Sequence, residues 1–313
     1  MTVMTGITDT DSELQGTPWW VDYAAGFIQR LPAGRYRVMN WIARRGADPF
    51  WARMPPEFGS LFFRCDLRDR IMREVCLTGR YEPQETALLQ QILRPGMTFV
   101  DVGANWGYFT LCAAHLVGRV GRVVSIEVDP RACRTLKANI ERNQLESVTV
   151  LEMAASDAAG VLRLREYERG ANDSGNFGLI GAEAIGNPHR QFDVAALPID
   201  DVLERAGIEQ VDLLKMDIEG AEGRALTGLR RALADRRIKF LVLEVHPQYL
   251  RGQGTSAKQI VDDLRGYGYR AWKIDHSPSA HRRIASGDMD VTSALTPFGE
   301  SDDLGPWPHL LWA

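Results

Sequence analysis

The chain of 313 residues is 45% hydrophobic and 25% charged, and its formal net charge at pH 7 is −4. That composition is ordinary for a globular protein, and the absence of a basic excess argues against a nucleic-acid partner. The four cysteines show no C-x-x-C spacing typical of zinc sites, and no apolar run is as long as a membrane span. Residues 1–16 lack the pattern of a secretion signal, so we expect a cytoplasmic protein without membrane partners.

The N-terminal part of the chain differs in character from the rest. Residues 1–17 are rich in Thr, Asp, Ser and Gly, which predicts a disordered tail. Aromatic and aliphatic residues then recur at helical spacing over 19–31 and 36–45, and 60–66 predicts a short strand. We interpret 18–66 as a helical layer that either covers a ligand cleft or forms a subunit contact, such as that of a homodimer. An equally good interpretation is that its aromatic residues only enlarge the core.

Residues 67–313 alternate between predicted helices and strands, and we expect them to form one domain. The predicted strands are 97–102, 122–127, 148–153, 211–216, 238–244, 269–274 and 309–312. The predicted helices are 82–93, 108–115, 130–143, 222–234 and 256–267. A further strand pair, 161–165 and 192–197, flanks a polar loop at 172–176 that could close over a substrate or simply lie at the surface. This alternation predicts an α/β fold with a parallel, doubly wound sheet, whose ligand lies beyond the carboxyl ends of the strands.

A glycine turn follows the first of these strands. Gly103 and Gly107 separate the strand that ends near Asp101 from a helix that begins at Tyr108. A dinucleotide fingerprint needs a second glycine between them, because the backbone approaches a pyrophosphate there, yet the chain has Asn105. Asp101 would repel a pyrophosphate and attract an ammonium group. S-adenosylmethionine has an ammonium group, a ribose and an adenine but no phosphate, so it fits this loop better than NAD. The alternative is a turn that only packs the helix on the strand.

Acidic residues at the ends of the next two strands complete the expected cofactor pocket. Glu127 ends its strand, where a carboxylate can accept hydrogen bonds from both ribose hydroxyls. Asp129 is predicted mainly to cap the following helix. The third strand leads into Ser156 and Asp157, and Asp157 could accept a hydrogen bond from the adenine amino group. On local sequence alone, a turn-forming role for Asp157 is nearly as good an interpretation.

Two further strand ends carry the candidates for catalysis. Asp217 and His246 each follow a predicted strand, so both should lie near the transferable methyl group. His246 has the intrinsic pKa to accept a hydroxyl proton near neutral pH, unless it only bonds a neighbouring carbonyl. Asp217 could orient His246, bind the cofactor ammonium or act as the base itself. With Glu244 they could also hold a divalent metal, but we expect none because methyl transfer needs no metal. Glu219 and Glu222 lie at a predicted helix start, where acids favour the helix dipole.

With these motifs in this order along the chain, the sequence resembles the FkbM-type family of S-adenosylmethionine-dependent methyltransferases. The segments that carry the resemblance are 79–83, 100–110, 127–130, 155–157, 215–222 and 244–246. They span about residues 67–275, and the ordered set is far more specific than any one motif. The resemblance implies the class I methyltransferase fold, with a Rossmann-like, seven-stranded, mostly parallel sheet whose last strand is antiparallel. It also implies that Glu82 lies beside the cofactor and that the acceptor is a hydroxyl of a secondary metabolite or sugar.

We therefore expect an O-methyltransferase that uses S-adenosylmethionine and a small hydroxylated acceptor. A methyltransferase for amino groups or nucleic acid is an alternative, but such enzymes carry an N-P-P-[YF]-like element after the fourth strand. Residues 217–220 occupy that place with the sequence Asp-Ile-Glu-Gly. An NAD-dependent oxidoreductase is disfavoured by Asn105 and Asp101, and a non-catalytic nucleoside-binding module is a further alternative.

Overall fold

The structure is a computed structural model that describes residues 16–31, 34–44, 48–167, 176–179, 188–250 and 254–313. Most of the predicted tail, residues 1–15, and most of the predicted polar loop, residues 172–175, lie outside the described residues. Among the helices that the structure describes, none combines the length and apolar character needed to cross a membrane.

The described N-terminal segment contains two helices followed by a β-hairpin. Its elements are α1 (Trp19–Arg30), α2 (Arg35–Ala43), β1 (Phe50–Arg53) and β2 (Phe62–Cys65). The sequence predicts both helices and β2 but not β1, which pairs with β2 in an antiparallel register. Val21, Ile28, Phe50 and Phe63 are buried in the same apolar cluster as residues of the main sheet. Part of the segment therefore joins the core, whereas other aromatic residues of it, Trp19, Phe27 and Trp41, are exposed.

The remaining strands build one large and one small sheet. They are β3 (Thr98–Val102), β4 (Arg122–Glu127), β5 (Val148–Glu152), β6 (Ala154–Ala155), β7 (Gly160–Tyr167), β8 (Asn176–Leu179), β9 (Pro188–Leu197), β10 (Val211–Met216), β11 (Ile238–Glu244), β12 (Ala271–Ile274), β13 (Leu295–Pro297) and β14 (His309–Trp312). Within the described residues, the large sheet has eight strands in the order β13-β12-β14-β11-β10-β3-β4-β5. Strand β14 runs antiparallel to β11 and β12, whereas β10 is parallel to both β3 and β11. The sheet is mostly parallel with an antiparallel last strand, as expected.

The large sheet has one strand more than the seven that were expected. The additional strand is β13, which pairs antiparallel with β12 at the edge of the sheet. A strand of three residues is too short to show a readable hydrophobic alternation, so the sequence did not predict it.

Helices cover both faces of the large sheet. Beyond α2 they are α3 (Arg70–Thr78), α4 (Pro83–Ile92), α5 (Tyr108–Val117), α6 (Pro130–Arg142), α7 (Ile199–Arg205), α8 (Glu222–Thr227), α9 (Arg230–Ala234), α10 (Pro247–Leu250), α11 (Ala257–Gly266) and α12 (Pro278–Ala285). Phe99 and Leu213 point into one apolar cluster with α4, α5 and α6, while their neighbours Val100 and Leu214 point into another with α7, α9 and α11. The alternation of strand side chains between two helical layers confirms the doubly wound fold.

One predicted helix is divided in the structure. Residues 222–234 form α8 and α9, which are separated near Gly228. A Cβ atom on Gly228 would lie 1.9 Å from the carbonyl oxygen of Ser156, so only glycine allows this approach. Asp129 caps α6 by accepting a hydrogen bond from the backbone N–H of Arg131, as the sequence predicts.

The small sheet lies next to the end of β5. Its strand order is β6-β9-β7-β8, and β7 and β9 form the antiparallel pair that the sequence predicts around the polar loop. The backbone N–H of Ser156 donates to the carbonyl oxygen of Leu197, which fixes the chain after β6 against the end of β9. The sheet thereby positions Ser156 and Asp157 beside the carboxyl edge of the large sheet.

Candidate active site

The glycine turn after β3 lies against the end of β10. Gly103, Asn105 and Gly107 all adopt positive φ angles, of 85°, 50° and 92°. A Cβ atom on Gly103 would lie 1.9 Å from the carbonyl oxygen of Asp217, and one on Gly107 would lie 2.3 Å from Leu136. The two glycines are therefore required by close contacts as well as by backbone conformation. The predicted cofactor loop is therefore in contact with Asp217, which is a predicted catalytic residue at the end of β10.

Asp101 is buried at the carboxyl end of β3 and uses only part of its hydrogen-bonding capacity. Its Oδ2 atom accepts a hydrogen bond of 2.7 Å from the Thr110 hydroxyl. Its Oδ1 atom is buried and has no hydrogen-bond partner among the described residues. Burial raises the pKa of Asp101, and the nearby Lys215 ammonium opposes that rise. The unpartnered oxygen is the kind of acceptor that a ligand ammonium would satisfy.

Glu82 offers a second unpartnered carboxylate oxygen in the same neighbourhood. Its Oε2 atom is buried and has no hydrogen-bond partner among the described residues. Burial raises its pKa, and the charge of Lys215 opposes this while Glu85 and Glu244 add to it. The backbone of Glu82 has a φ of 42°, which turns the chain sharply at the start of α4. The family resemblance implies that Glu82 lies beside the cofactor, whereas no local sequence pattern indicates this.

Glu127 connects the end of β4 to the glycine turn. Its Oε2 atom accepts a hydrogen bond from the backbone N–H of Asn105 at 2.7 Å, and its Oε1 atom accepts two from Val128 and Asp129. Burial raises the pKa of Glu127 to about 7, although these three backbone donors lower it. A carboxylate can accept about four hydrogen bonds, so one position on Glu127 is left for a ligand hydroxyl.

Ser156 and Asp157 lie at the outer end of the same edge. The Ser156 hydroxyl donates to Oδ1 of Asp157 at 2.9 Å, and Arg224 on α8 pairs with the same oxygen at 2.8 Å. Burial tends to raise the pKa of Asp157, but the hydrogen bonds from Arg224 and Ser156 together with the charge of Arg224 lower it. Ser156 and Arg224 therefore hold the Asp157 carboxylate in a fixed orientation.

The structure brings Asp217, Glu244 and His246 together, and we call these three residues the acceptor cluster. One ligand atom from each lies within 4.8 Å of the others. His246 is buried, with its Nδ1 atom 2.7 Å from Glu222 and its Nε2 atom 3.3 Å from Glu244. Burial alone would lower the pKa of His246, but the hydrogen bonds to Glu222 and Glu244 raise it to about 11. The imidazole is therefore protonated at neutral pH and has no free site for another proton.

Asp217 is the most accessible of the three residues in the acceptor cluster. Its side chain is 25% exposed, and its Oδ2 atom lies 3.5 Å from the ammonium of Lys215. Burial and the charge of Glu244 raise the pKa of Asp217, whereas Lys215 lowers it. A carboxylate with a raised pKa is a better proton acceptor than an ordinary aspartate.

Two residues of the site were not assigned a role there from the sequence. Lys215 is buried within β10, and its ammonium lies 4.7 Å from the centre of the Phe109 ring. A lysine among the apolar residues near the end of a strand is an unusual signal that could have identified it. Glu222 was expected only to favour a helix dipole, yet it is fully buried and binds both His246 and the backbone N–H of Gly220.

The match to known proteins agrees with this geometry. Residues 101–271, more than half of the chain, match the family model described as the methyltransferase FkbM domain. The 31-O-demethyl-FK506 methyltransferase FkbM of Streptomyces tacrolimicus is 32% identical over 200 residues, which cover 56% of this chain and 74% of that protein. The 2-O-methyltransferase NoeI of Sinorhizobium fredii is 26% identical over 184 residues, which cover 56% of this chain and 73% of that protein.

A solved structure is also similar in part. The crystal structure of methyltransferase FkbM from Methylobacillus flagellatus KT has 17% sequence identity and a TM-score of 0.42, covering 95% of this chain and 63% of that one. The assignment itself rests on the sequence matches. The chain belongs to the FkbM family of S-adenosylmethionine-dependent methyltransferases.

Proposed function

We propose that this enzyme transfers the methyl group of S-adenosylmethionine to a hydroxyl oxygen of a small molecule. The observation that carries the proposal is the contact of Gly103 with the carbonyl oxygen of Asp217. Through this contact, the glycine turn that we assign to the cofactor lies next to the acceptor cluster at one edge of the sheet. The names of two relatives, a 31-O-demethyl-FK506 methyltransferase and a 2-O-methyltransferase, describe O-methylation and support the same reaction class here.

The residues around the glycine turn suit each part of the cofactor. We assign the ammonium group to the unpartnered oxygens of Asp101 and Glu82, because both are buried acceptors without a donor among the described residues. Glu127 would accept a hydrogen bond from the ribose, and Asp157, oriented by Ser156, would accept one from the adenine amino group. Gly103, Asn105 and Gly107 shape the turn. This cradle is rich in carboxylates, which favours a cationic ligand.

Asp217 is assigned the role of proton acceptor. The bound cofactor supplies a methyl group that is already activated by its positively charged sulfur, so the protein must position and deprotonate the acceptor hydroxyl. Asp217 is partly exposed and has a raised pKa, whereas His246 is already protonated. We therefore assign His246 a positioning role, in which its charge holds Glu244 beside Asp217.

A mass-spectrometric assay tests the proposed reaction. The purified protein would be incubated with S-adenosylmethionine and a panel of hydroxylated metabolites that includes macrolides and sugars. We expect a methylated product together with S-adenosylhomocysteine, and fragmentation should locate the new methyl on oxygen. A methyl group on nitrogen would contradict O-methylation. Binding of the cofactor without transfer to any acceptor in the panel would instead favour a non-catalytic binding module.

The exposed aromatic face of α1 supports a homodimer. Trp19, Tyr23 and Phe27 follow one another at helical spacing and are 74%, 76% and 57% exposed. Large apolar side chains grouped on a surface are typical of interaction sites. We expect the wild-type protein to sediment as a dimer and the double variant Tyr23→Ser, Phe27→Ser to sediment as a folded monomer. A monomeric wild type would contradict this assignment.

A further inference from the structure

A second group of ligand-type side chains lies outside the residues assigned to methyl transfer. Glu85 in the first turn of α4, His276 after β12 and His309 at the start of β14 converge, with one ligand atom from each within 4.8 Å of the others. The Nε2 atom of His276 and the Nδ1 atom of His309 lie 2.7 Å and 3.1 Å from the same oxygen, Oε1 of Glu85. We call these three residues the edge cluster, because they join α4 to the edge of the large sheet.

Among the described residues, the buried charge of Glu85 is opposed by the imidazoles of the edge cluster alone. The side chain is 1% exposed, and its Oε2 atom is buried without a hydrogen-bond partner among the described residues. In the part of the chain that the structure describes, the ion pairs of Glu85 run only to the two imidazoles. A buried carboxylate is costly unless a cation neutralises it and its oxygens are satisfied.

The two histidines are badly arranged to supply that charge as a pair of imidazolium ions. Their rings are stacked with centroids 3.6 Å apart and an angle of 21° between the planes. Two positive rings at that distance would repel each other strongly in a partly buried site. A single cation between the two nitrogens and the carboxylate would neutralise Glu85 while both rings stay neutral.

We infer that Glu85, His276 and His309 bind one divalent transition-metal ion, through the carboxylate and one nitrogen of each imidazole. Two imidazoles and a carboxylate are a ligand set that suits Zn²⁺. Ligand atoms around an ion with bonds of about 2.1 Å lie roughly 3 Å to 3.5 Å apart, so small side-chain movements are enough to admit the ion. Three protein ligands leave a position open for water or another oxygen.

A carboxylate also supports His309 from its other side. The Nε2 atom of His309 lies 3.7 Å from Oε1 of Glu244, which belongs to the acceptor cluster. Metal-binding histidines usually donate the N–H of their second nitrogen to a carboxylate or carbonyl, and Glu244 lies just beyond hydrogen-bond distance of that nitrogen. The ion would therefore tie α4 to the sheet edge and hold His309 next to the acceptor cluster.

The acceptor cluster is the weaker candidate for a metal. Asp217 already has the ammonium of Lys215 at 3.5 Å, and His246 is held by the buried Glu222 at its Nδ1 atom. The ammonium of Lys215 therefore already opposes the carboxylate charge there. No Lys or Arg forms an ion pair with the edge cluster among the described residues.

Metal titration of the full chain tests the inference without cofactor or acceptor. After treatment with a chelator, the protein would be titrated with Zn²⁺ against a chromophoric competitor and with Co²⁺, whose visible spectrum reports nitrogen ligation. We expect one ion per chain. The variants His276→Gln, His309→Gln and Glu85→Gln should each weaken Zn²⁺ binding by at least about tenfold. The control His281→Gln changes a neighbouring histidine outside the edge cluster and should bind Zn²⁺ as the wild type does.

Circular dichroism and thermal unfolding in chelator check that each variant is folded, and His276→Gln, at a partly exposed site, is the variant best suited to remain so. Wild-type protein that binds no stoichiometric Zn²⁺ would overturn the inference. So would a folded His276→Gln variant with wild-type affinity, or loss of binding in His246→Gln while His276→Gln still binds. Because the titrations contain no S-adenosylmethionine, each of these results is independent of whether the protein proves to be an O-methyltransferase.

Discussion

The Nδ1 atom of His246 lies 2.7 Å from Oε1 of Glu222, and both side chains are buried. Glu222 begins α8 and His246 follows β11, so this contact joins the segments after two neighbouring strands. Burial lowers the pKa of His246, but Glu222, Glu244 and Asp217 together stabilise the imidazolium form and raise the pKa. The raised pKa favours the protonated form of His246, and this is why we propose Asp217 rather than His246 as the proton acceptor.

Replacement of Asp217 tests the assignment of the base. We expect Asp217→Asn to lower kcat by about 10²-fold to 10⁴-fold, because an amide of the same shape cannot accept the hydroxyl proton. The Kd for S-adenosylmethionine, measured by calorimetry, should change little. Asp212→Asn is a matched control, since Asp212 lies at the opposite end of β10 and pairs with Lys239. Near-normal turnover in Asp217→Asn would remove Asp217 from the mechanism.

Replacement of Asp101 tests the ammonium site. We expect Asp101→Asn to weaken S-adenosylmethionine binding by about tenfold or more, because a hydrogen bond to a charged group is lost. 5′-Methylthioadenosine keeps the adenine and ribose but lacks the ammonium of the amino-acid part, so its affinity should be the same in variant and wild type. Equal losses for both ligands would mean that Asp101 acts only through the shape of the loop.

The pH dependence of ribose binding tests Glu127. Its pKa is raised to about 7, so the carboxylate form that accepts hydroxyl hydrogen bonds becomes dominant as the pH rises through that value. We expect the affinity for 5′-methylthioadenosine to increase by about tenfold between about pH 6 and about pH 8. In Glu127→Gln the affinity should be lower and flat over this range. Identical pH profiles in the two proteins would rule out Glu127 as the titrating group.

The close approach of Gly103 to the carbonyl oxygen of Asp217 can be tested through the stability of two glycine variants. Gly103→Ala must accommodate a φ of 85° and a Cβ atom 1.9 Å from the carbonyl oxygen of Asp217. Gly118→Ala also has a positive φ, of 67°, but its Cβ would meet no atom within 4 Å. We expect Gly118→Ala to lose about 1 to 3 kcal/mol of unfolding free energy from backbone strain, and Gly103→Ala to lose clearly more. Urea unfolding measures both, and equal losses would show that the close contact is unimportant.

Elements with a clear local sequence pattern were predictable, and several without one were not. The predicted bounds of β4, β10, β11 and β14 agree with the structure, because each strand contains a run of apolar residues. β1 and β13 have only four and three residues, so they depend on pairing with a neighbour rather than on their own pattern. No prediction covered α3, which packs against α1 and the N-terminal hairpin.

The sequence by itself determined the α/β fold, the glycine turn without a phosphate site, and the set of acids at the strand ends. These features are local: strand periodicity, glycine positions and the charge of single residues can be read in chain order. The tertiary structure alone decided that Glu222 and Glu244 surround His246, that Lys215 neutralises Asp217, and that Glu85 meets two distant histidines. The protonation of a buried group depends on which charges fold up against it, and those charges come from residues far apart in the chain.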